Sequence, residues 1–147
     1  MKTNTILGDA GAALMVSAPE KLDVLVATNL HADILSDLAS ALVGSLGLGA
    51  TANLSLNKNV PSMFEPIHGA AFDIVGKNIA NPIGALGSSA LMLNNLGEKK
   101  SANIIFKLIN LYAEEGGPFT PDLGGKASTS DVVKIFLQNL KKLNIKK

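Results

Sequence analysis

The chain has 147 residues, of which 47% are hydrophobic and 17% charged, and its net charge is +1. This length is typical of one domain, or of one domain with part of another, and the apolar content is sufficient for a packed core. The near-neutral charge and the aromatic content of 4% disfavour a nucleic-acid-binding protein, which normally has a basic face with aromatic side chains.

Two residue types are absent from the sequence. All 13 basic residues are Lys, and there is neither Arg nor Cys. Arg is the usual bidentate partner of a carboxylate, so we do not expect this chain to form a complete site for a small dicarboxylic acid. The lack of Cys excludes disulfides and thiolate metal sites. We see no signal peptide and no apolar run of membrane-spanning length, and therefore expect a soluble, intracellular protein.

The first part of the chain predicts a short helix, a strand and a longer helix. Residues 9–16 are small and apolar and favour the short helix. Residues 22–27 form a bounded, β-branched apolar run that predicts a buried strand. Residues 30–43 have apolar side chains at helical spacing, with Thr28 or Asn29 as the N-cap.

The second part predicts two short strands and three helices. Asn81-Pro82 marks a boundary, because the residue before proline avoids the helical region. The lysine-rich end, residues 141–147, suits a helix C-terminus or a solvated tail. The predicted elements are strands at 50–55 and 63–65 and helices at 83–96, 101–115 and 128–143, the first of these helices apolar almost all round and the last capped by Ser128 to Asp131.

Two aspartates, Asp33 and Asp37, are four residues apart on the predicted helix 30–43. Side chains at this spacing share a face, and like charges there destabilise a helix unless a cation lies between them. Mg²⁺ and Mn²⁺ prefer carboxylate oxygens, so the pair indicates a metal site. The alternative is a pair of solvated aspartates, against which the otherwise apolar character of the helix counts.

A loop of small residues follows the predicted strand at 63–65. Residues 69–71 are Gly-Ala-Ala, which would allow a flat ligand to approach the backbone. Asp73 could accept hydrogen bonds from ribose hydroxyls, as an acidic residue does in dinucleotide-binding folds. No G-x-G-x-x-G motif is present, so a Rossmann fold is not predicted. His68, taken alone, favours a structural histidine in a turn over a ligand.

These segments together resemble a known family. Residues 29–37, NLHADILSD, are similar to the metal-helix signature of the isocitrate and isopropylmalate dehydrogenases. Residues 64–82, FEPIHGAAFDIVGKNIANP, resemble the adenosine-binding loop of the same family. The order and separation of the two motifs agree with the family, and the resemblance covers nearly the whole chain, from Asp9 to about Leu140.

The resemblance implies an α/β fold that is the carboxyl-terminal portion of the isopropylmalate dehydrogenase-like fold, with an incomplete sheet. Residues 1–44 are expected in the smaller lobe, which forms the dimer and substrate site, and residues 45–147 in the larger cofactor lobe. The family's arginine clamp, catalytic tyrosine and catalytic lysine lie upstream of the region matched here. Tyr112 and Lys77 do not match them, so we expect no catalytic residue in this chain and suspect a truncated gene model or a partial gene.

The resemblance also implies the site residues. Asp9, Asp33 and Asp37 correspond to ligands of Mg²⁺ or Mn²⁺, with Asp9 donated to the partner subunit's site in a homodimer. The residues implied to bind the cofactor NAD are Glu65, His68, Gly69, Ala70, Ala71, Asp73, Ile74 and Asn81. Ala70 replaces the serine usual in the family. NAD is preferred over NADP because the Asp73 carboxylate would repel a 2′-phosphate.

The implied function is that of an NAD- and divalent-metal-dependent oxidoreductase that decarboxylates a small 2-hydroxy dicarboxylic acid. The most similar branch is the tartrate and D-malate dehydrogenases, as His31-Ala32 and Phe72 indicate, with 3-isopropylmalate as a further substrate. The alternative is a non-catalytic fragment or subunit that pairs with a full-length relative. We expect the chain alone to be inactive, with no nucleic-acid or membrane partner, and the protein to be cytoplasmic, or mitochondrial if a targeting segment precedes Met1.

Overall fold

The computed structural model describes residues 2–57 and 59–143. The chain divides into two compact units, Met1–Val43 and Gly44–Lys147. The assignment of these parts to the smaller and larger lobes of the family fold stays a prediction. The helices and strands of the described residues are α1 (Gly8–Ser17), α2 (Asn29–Leu42), β1 (Ala50–Asn53), β2 (Met63–Pro66), α3 (Ile83–Asn95), α4 (Lys99–Glu114) and α5 (Thr129–Lys142).

The first unit is built from α1 and α2, which pack against each other. Both helices were predicted from the sequence. Met15 of α1 and Ser40 of α2 are buried. Thr28 is the N-cap of α2, but its hydroxyl bonds to the side chain of His31, at 3.0 Å from Nδ1, and not to a backbone N–H of the first turn. The carbonyl of Thr28 accepts the N–H of Ala32 at 2.8 Å, so the helix begins with a regular backbone bond and a contact between two side chains.

The strand predicted at residues 22–27 is wrong. These residues are all described, and they join no sheet. Val24 and Val26 are 79% and 95% exposed, so the apolar run is not buried. A strand needs a neighbour for its backbone hydrogen bonds, and β-branched residues favour a strand only where such a neighbour exists. The composition of this segment is that of a strand, but the described chain supplies no partner for it.

The sheet of the second unit is antiparallel. Ala50 of β1 pairs with Pro66 of β2, and Asn53 pairs with Met63, which confirms both predicted short strands. Helix α3 packs across the two strands. A Cβ atom added at Gly87 of α3 would lie 2.9 Å from Cβ of Ala50, closer than packed atoms allow. The small residues that make α3 look apolar all round thus let it lie directly on the sheet.

The core of the second unit lies where α3, α4 and α5 meet. Its buried residues are Ile83, Leu108, Tyr112, Ala127, Val132 and Phe136. The ring of Tyr112 has its centroid 5.3 Å from that of Phe136 and 5.6 Å from that of Phe119. Aromatic contacts at such distances add to the stabilisation from apolar burial.

Tyr112 is a structural residue. Its side chain is 3% exposed, and its hydroxyl donates a hydrogen bond to the carbonyl of Pro118. Burial, and secondarily the charge of Asp122, raises the pKa of the Tyr112 hydroxyl above its ordinary value. A buried phenol with its proton engaged is poorly suited to proton transfer, in agreement with the lack of any match to the family's catalytic tyrosine.

Helix α5 begins with the predicted cap. Ser128 Oγ accepts a hydrogen bond from the backbone N–H of Asp131, and the Asp131 carboxylate accepts one from the backbone N–H of Ser128. This reciprocal arrangement satisfies donors that a helix end otherwise leaves free. Hydrogen bonds from Ser128 hold the pKa of Asp131 below its ordinary value. The last turn contains Lys141 and Lys142, whereas residues 144–147 of the lysine-rich end lie outside the described residues.

Candidate functional site

A cleft of about 1010 Å³ lies in the second unit. Its volume is at the upper end of the range of about 300–1,000 Å³ that is typical of small-molecule sites. The lining residues are 45–47, 68–71, 74–76, 78–81 and 121–122. The predicted cofactor loop forms most of this wall, and His68, Gly69, Ala70, Ala71, Ile74 and Asn81 are all among the lining residues.

The loop leaves β2 and turns sharply at Ala71. The backbone N–H of Ile67 donates to the carbonyl of Gly49 at 3.1 Å, which fixes the beginning of the loop. Ala71 has a φ of 46°, in the left-handed region that is uncommon for residues other than glycine. A short 3-10 turn, Phe72–Ile74, follows. The methyl side chain of Ala71 is compatible with this conformation, whereas a β-branched side chain would be strained there.

The far end of the loop is held by the first turn of α5. The backbone N–H of Thr129 donates to the carbonyl of Asn78 at 2.8 Å, and the hydroxyl of Thr129 donates to the carbonyl of Ala80 at 2.6 Å. Ser130 Oγ donates to Oδ1 of Asn78 at 3.1 Å. The sequence predicted only a helix cap at Ser128 to Asp131, but in the structure Thr129 and Ser130 also anchor the loop.

His68 lies at the cleft with its ring exposed. Its Nδ1 is 2.9 Å from the carbonyl oxygen of Gly69. A carbonyl can only accept, so Nδ1 is the donor and the neutral ring has its acceptor at Nε2. His68 therefore serves both as a turn residue and as a lining residue with a free acceptor nitrogen.

Glu65 and Asp73 are not among the residues that line the cleft. Glu65 lies in β2 with an exposed side chain, and its backbone carbonyl accepts the hydroxyl of Thr51 at 2.9 Å. Asp73 is exposed in the turn Phe72–Ile74, next in sequence to a lining residue, Ile74. The roles of both acidic residues in cofactor binding stay predictions.

Two polar residues of the cleft, Ser45 and Asp122, were missed by the sequence analysis. Asp122 Oδ2 accepts hydrogen bonds from Ser45 Oγ at 2.5 Å and from Asn81 Nδ2 at 2.9 Å. Asp122 belongs to the segment 120–125, for which the sequence predicts only a turn. No pattern in the sequence connects residue 122 with residues 45 and 81, because their separation along the chain is bridged only by the fold.

The carboxyl group of Asp122 is ionised more readily than an ordinary aspartate. Burial by itself would raise its pKa, but hydrogen bonds from Ser45 and Asn81 outweigh that effect and lower the pKa below the ordinary value of 3.8. Thr120 also contributes to the lowering, although its buried Oγ1 makes no hydrogen bond of normal geometry within the described residues. Asp122 is thus a carboxylate at neutral pH.

The predicted metal ligands lie in the first unit. Asp33 and Asp37 are on α2, four residues apart and exposed. Asp9 is in the first turn of α1, where its Oδ1 accepts a hydrogen bond from the N–H of Ala10 at 2.8 Å. Among residues 2–57 and 59–143, no three acidic, histidine or cysteine side chains are grouped closely enough to hold a metal ion.

The predicted metal ligands therefore fit a divalent ion only in part. The pair Asp33 and Asp37 presents two carboxylates on one face of a helix. Mg²⁺ is commonly held by one or two carboxylates, with water or substrate completing its shell. Asp9 of the same chain is not grouped with the pair, which is compatible with its predicted donation to another subunit.

A sequence profile of the isocitrate/isopropylmalate dehydrogenase family matches residues 1–136. The chain belongs to the isocitrate/isopropylmalate dehydrogenase family. The resemblance of the two motifs is thereby confirmed, and so is membership of a family of oxidoreductases.

Two relatives in this dehydrogenase family are about half identical to the chain. A probable tartrate dehydrogenase/decarboxylase of Agrobacterium vitis is 51% identical over 140 residues, which are 95% of this chain and 39% of that protein. An isocitrate/homoisocitrate dehydrogenase of Thermus thermophilus is 48% identical over 138 residues, or 94% of this chain and 40% of that protein. The chain therefore spans about two-fifths of the length of these relatives.

Solved structures of dehydrogenases confirm the fold. The crystal structure of isocitrate dehydrogenase from Methylococcus capsulatus superposes with a TM-score of 0.85 at 39% identity, over 91% of this chain and 39% of that chain. A β-decarboxylating dehydrogenase from Thermococcus kodakarensis gives a TM-score of 0.79 at 39% identity, over 92% of this chain and 39% of that chain. The α/β class predicted from the sequence is correct, and the described residues of this dehydrogenase chain form a sheet of two strands.

A helix that spans a membrane is about 20 residues long and predominantly apolar. No helix within the described part of the chain is both long and apolar enough to cross a membrane.

Proposed function

We propose that this chain provides the adenosine-binding cleft and a metal half-site of an NAD-dependent decarboxylating dehydrogenase. Its substrate is a 2-hydroxy dicarboxylic acid, with tartrate and D-malate favoured over 3-isopropylmalate. The observation that supports the proposal is the cleft of about 1010 Å³ lined by the loop 68–81. The tartrate dehydrogenase/decarboxylase named among the relatives favours the same substrate class.

The lining of the cleft suits the adenosine part of a dinucleotide. Gly69 has no heavy atom within 4 Å of the position where a Cβ would lie, so the backbone there is open to a flat ligand. Ala70 and Ile74 offer small and apolar contacts to an aromatic base. Nε2 of His68 and the side chain of Asn81 add polar groups to the wall, and small-molecule sites commonly have a few such groups.

Asp33 and Asp37 hold the divalent ion in this proposal, and Asp9 reaches the corresponding site of the partner in a homodimer. A bound Mg²⁺ or Mn²⁺ would supply Lewis acidity toward the substrate's hydroxyl and carboxylate oxygens. The two aspartates would hold the ion at one face of α2. Both side chains are exposed, so that face is open to a substrate. NAD, when bound, would supply the acceptor for the hydride from C2 of the acid, whose β-carboxylate would then leave as CO₂.

A cofactor-binding measurement tests the proposal. Isothermal titration calorimetry of the full chain is expected to show binding of NAD and of ADP-ribose, with weaker binding of NADP. The reason for the preference is repulsion between the 2′-phosphate and the carboxylate of Asp73. The Asp73→Asn variant is expected to bind NADP about tenfold more tightly relative to NAD than the unchanged chain does, which corresponds to about 1.4 kcal/mol.

Glu98→Gln is the matched control for this change. Glu98 is also an exposed carboxylate of the second unit, but it precedes α4, whereas Asp73 is next in sequence to the lining residue Ile74. This variant is expected to keep the original preference. Absence of binding of both NAD and ADP-ribose by the unchanged chain would refute the cofactor assignment, and equal effects of the two substitutions would refute the role of Asp73.

Metal binding gives a separate prediction. Titration with Mn²⁺, followed by the electron paramagnetic resonance signal of the free ion, is expected to show weak binding by the chain. Asp33→Asn is expected to abolish it, because Asp37 would then be the only carboxylate of the pair left on α2 to hold an ion that is already weakly bound. Asp23→Asn is the control, since Asp23 is an exposed aspartate outside the helices of the first unit. Binding that survives Asp33→Asn would exclude the helix pair as the site.

A second candidate function is that of a non-catalytic subunit that pairs with a full-length relative. The first unit has large apolar side chains that are exposed within the chain: Leu30 is 67% and Ile34 59% exposed on α2. Such apolar surface is common at protein–protein interfaces. A homodimer and a mixed dimer would both cover it, so the two candidates differ in whether activity requires the relative.

A further inference from the structure

Asn81 has an unusually constrained side chain at the end of the cofactor loop. It is 8% exposed. Its Oδ1 accepts a hydrogen bond from the N–H of Ile83 at 3.0 Å, at the start of α3, and its Nδ2 donates to Asp122 Oδ2 at 2.9 Å. Both ends of the carboxamide are therefore engaged, and the amide plane is held in one orientation relative to the cleft.

Asp122 connects Asn81 to a third segment of the wall. The same Oδ2 atom accepts the hydroxyl of Ser45, and Ser45 Oγ in turn accepts the N–H of Gly47 at 2.9 Å. Hydrogen bonds thus join Ser45, Asn81 and Asp122 into one group, the Asp122 network. All three residues, together with Gly47, line the cleft, so one carboxylate oxygen ties together three segments that are distant in the sequence.

The packing at Gly47 shows that the Asp122 network is closely fitted. A Cβ atom added to Gly47 would lie 2.8 Å from Cβ of Asn81, 3.0 Å from Oδ2 of Asp122 and 3.2 Å from Oγ of Ser45. The backbone at residue 47 thus rests directly on all three members. A change in any of them would alter the position of the 45–47 segment, and hence the width of the cleft.

We propose that Asp122 is a positioning residue for the adenosine part of the cofactor, acting by holding Asn81 and the 45–47 segment in their binding arrangement before the ligand arrives. The inference rests on the proposed function, since it takes the cleft to be the NAD site. A preorganised wall binds more tightly because less ordering is needed on association.

The charge of Asp122 supports this role. A carboxylate oxygen can accept two hydrogen bonds at once, and bonds to an ionised acceptor are stronger than neutral ones. The lowered pKa of Asp122, caused by its hydrogen-bond donors against the effect of burial, keeps it ionised at the pH at which binding would be measured.

The test compares Asp122→Ala with two other variants of the full chain. Calorimetry with ADP-ribose is expected to give a Kd about tenfold higher for Asp122→Ala. Asp122→Asn is expected to recover most of the affinity, because its amide oxygen can still accept from Ser45 and Asn81. In NMR spectra recorded without ligand, the side-chain amide signals of Asn81 are expected to move in Asp122→Ala and to move much less in Asp122→Asn.

Glu115→Ala is the matched control. Glu115 is likewise a carboxylate that accepts a hydrogen bond from a buried asparagine, Asn139 Nδ2 at 3.0 Å, but it lies at the end of α4 and does not line this cleft. It is expected to lower the melting temperature without changing the Kd for ADP-ribose. If Asp122→Ala does not fold, Ser45→Ala removes one donor from the network and is expected to weaken binding several-fold.

The outcomes separate the inference from the proposed function. An unchanged chain that does not bind ADP-ribose would refute the proposed cofactor site, whereas unmoved Asn81 amide signals in Asp122→Ala would refute the network itself. Binding by the unchanged chain, together with unaltered affinity in Asp122→Ala and Ser45→Ala, would overturn the positioning role alone. Equal losses of affinity in Asp122→Ala and Glu115→Ala would reduce the effect to general destabilisation and would overturn it as well.

Discussion

Phe136→Ala is expected to lower the free energy of unfolding of the second unit by about 3–5 kcal/mol, the usual cost of removing a buried aromatic side chain. Phe136 is 5% exposed and belongs to the core formed by α3, α4 and α5. Its ring lies 5.3 Å from that of Tyr112. Domains of this kind are stable by about 5–15 kcal/mol in total, so the substitution removes a large share of the stability.

Leu137→Ala is the matched control for this experiment. Leu137 is next to Phe136 on α5, but its side chain is 55% exposed. Substitutions of exposed residues usually change stability by no more than about 0.5 kcal/mol. Urea unfolding followed by circular dichroism is expected to show a much lower midpoint for Phe136→Ala than for Leu137→Ala. Equal midpoints would contradict the described orientation of α5.

The helices of the second unit could be predicted because the information for them is local. Ser128 and Asp131 occur at capping-box spacing, and the structure has both hydrogen bonds of that motif. The residues that form α4 have an amphipathic pattern, which favours a helix, and Leu108 and Tyr112 are buried in the core. Such patterns depend on residues three or four positions apart, which a single sequence displays directly.

The segment 22–27 shows where local information fails. Its apolar, β-branched residues predicted a buried strand, but a strand is stabilised by neighbours that the local sequence does not specify. Val24 and Val26 are exposed instead. The amino-acid composition of the segment favours a strand, but no neighbouring strand pairs with it within the described residues.

The residues that line the cleft were predicted in part for a similar reason. The loop 68–81 is continuous in the sequence, so its resemblance to a known adenosine-binding loop was visible. Ser45 and Asp122 line the same cleft, but they come from segments before and after that loop, and only the fold brings them to Asn81. A contiguous motif can be recognised from one sequence, whereas contacts between distant segments require the structure.

The chain alone is expected to form no NADH from tartrate, D-malate or 3-isopropylmalate, even with Mn²⁺ present. The sequence contains no Arg to bind the acid's carboxylates. Tyr112, the only tyrosine, is buried with its hydroxyl bonded to Pro118, so it cannot transfer a proton to a substrate. General acid–base groups typically contribute about 10²- to 10⁴-fold each, and the loss of two together with substrate positioning removes any measurable rate.

The measurement is NADH absorbance with each acid, using a full-length tartrate dehydrogenase as the positive control. NADH formed by the purified chain above background would contradict the prediction, and variants of Lys77, His31 and His68 would then identify the substitute base. A mixture with a full-length relative whose metal-helix aspartates have been changed to Asn separates the two candidate functions. Activity that returns only in this mixture would mean that Asp33 and Asp37 complete a shared site. The chain would then be a subunit, and its partner would supply the groups for proton transfer and carboxylate binding.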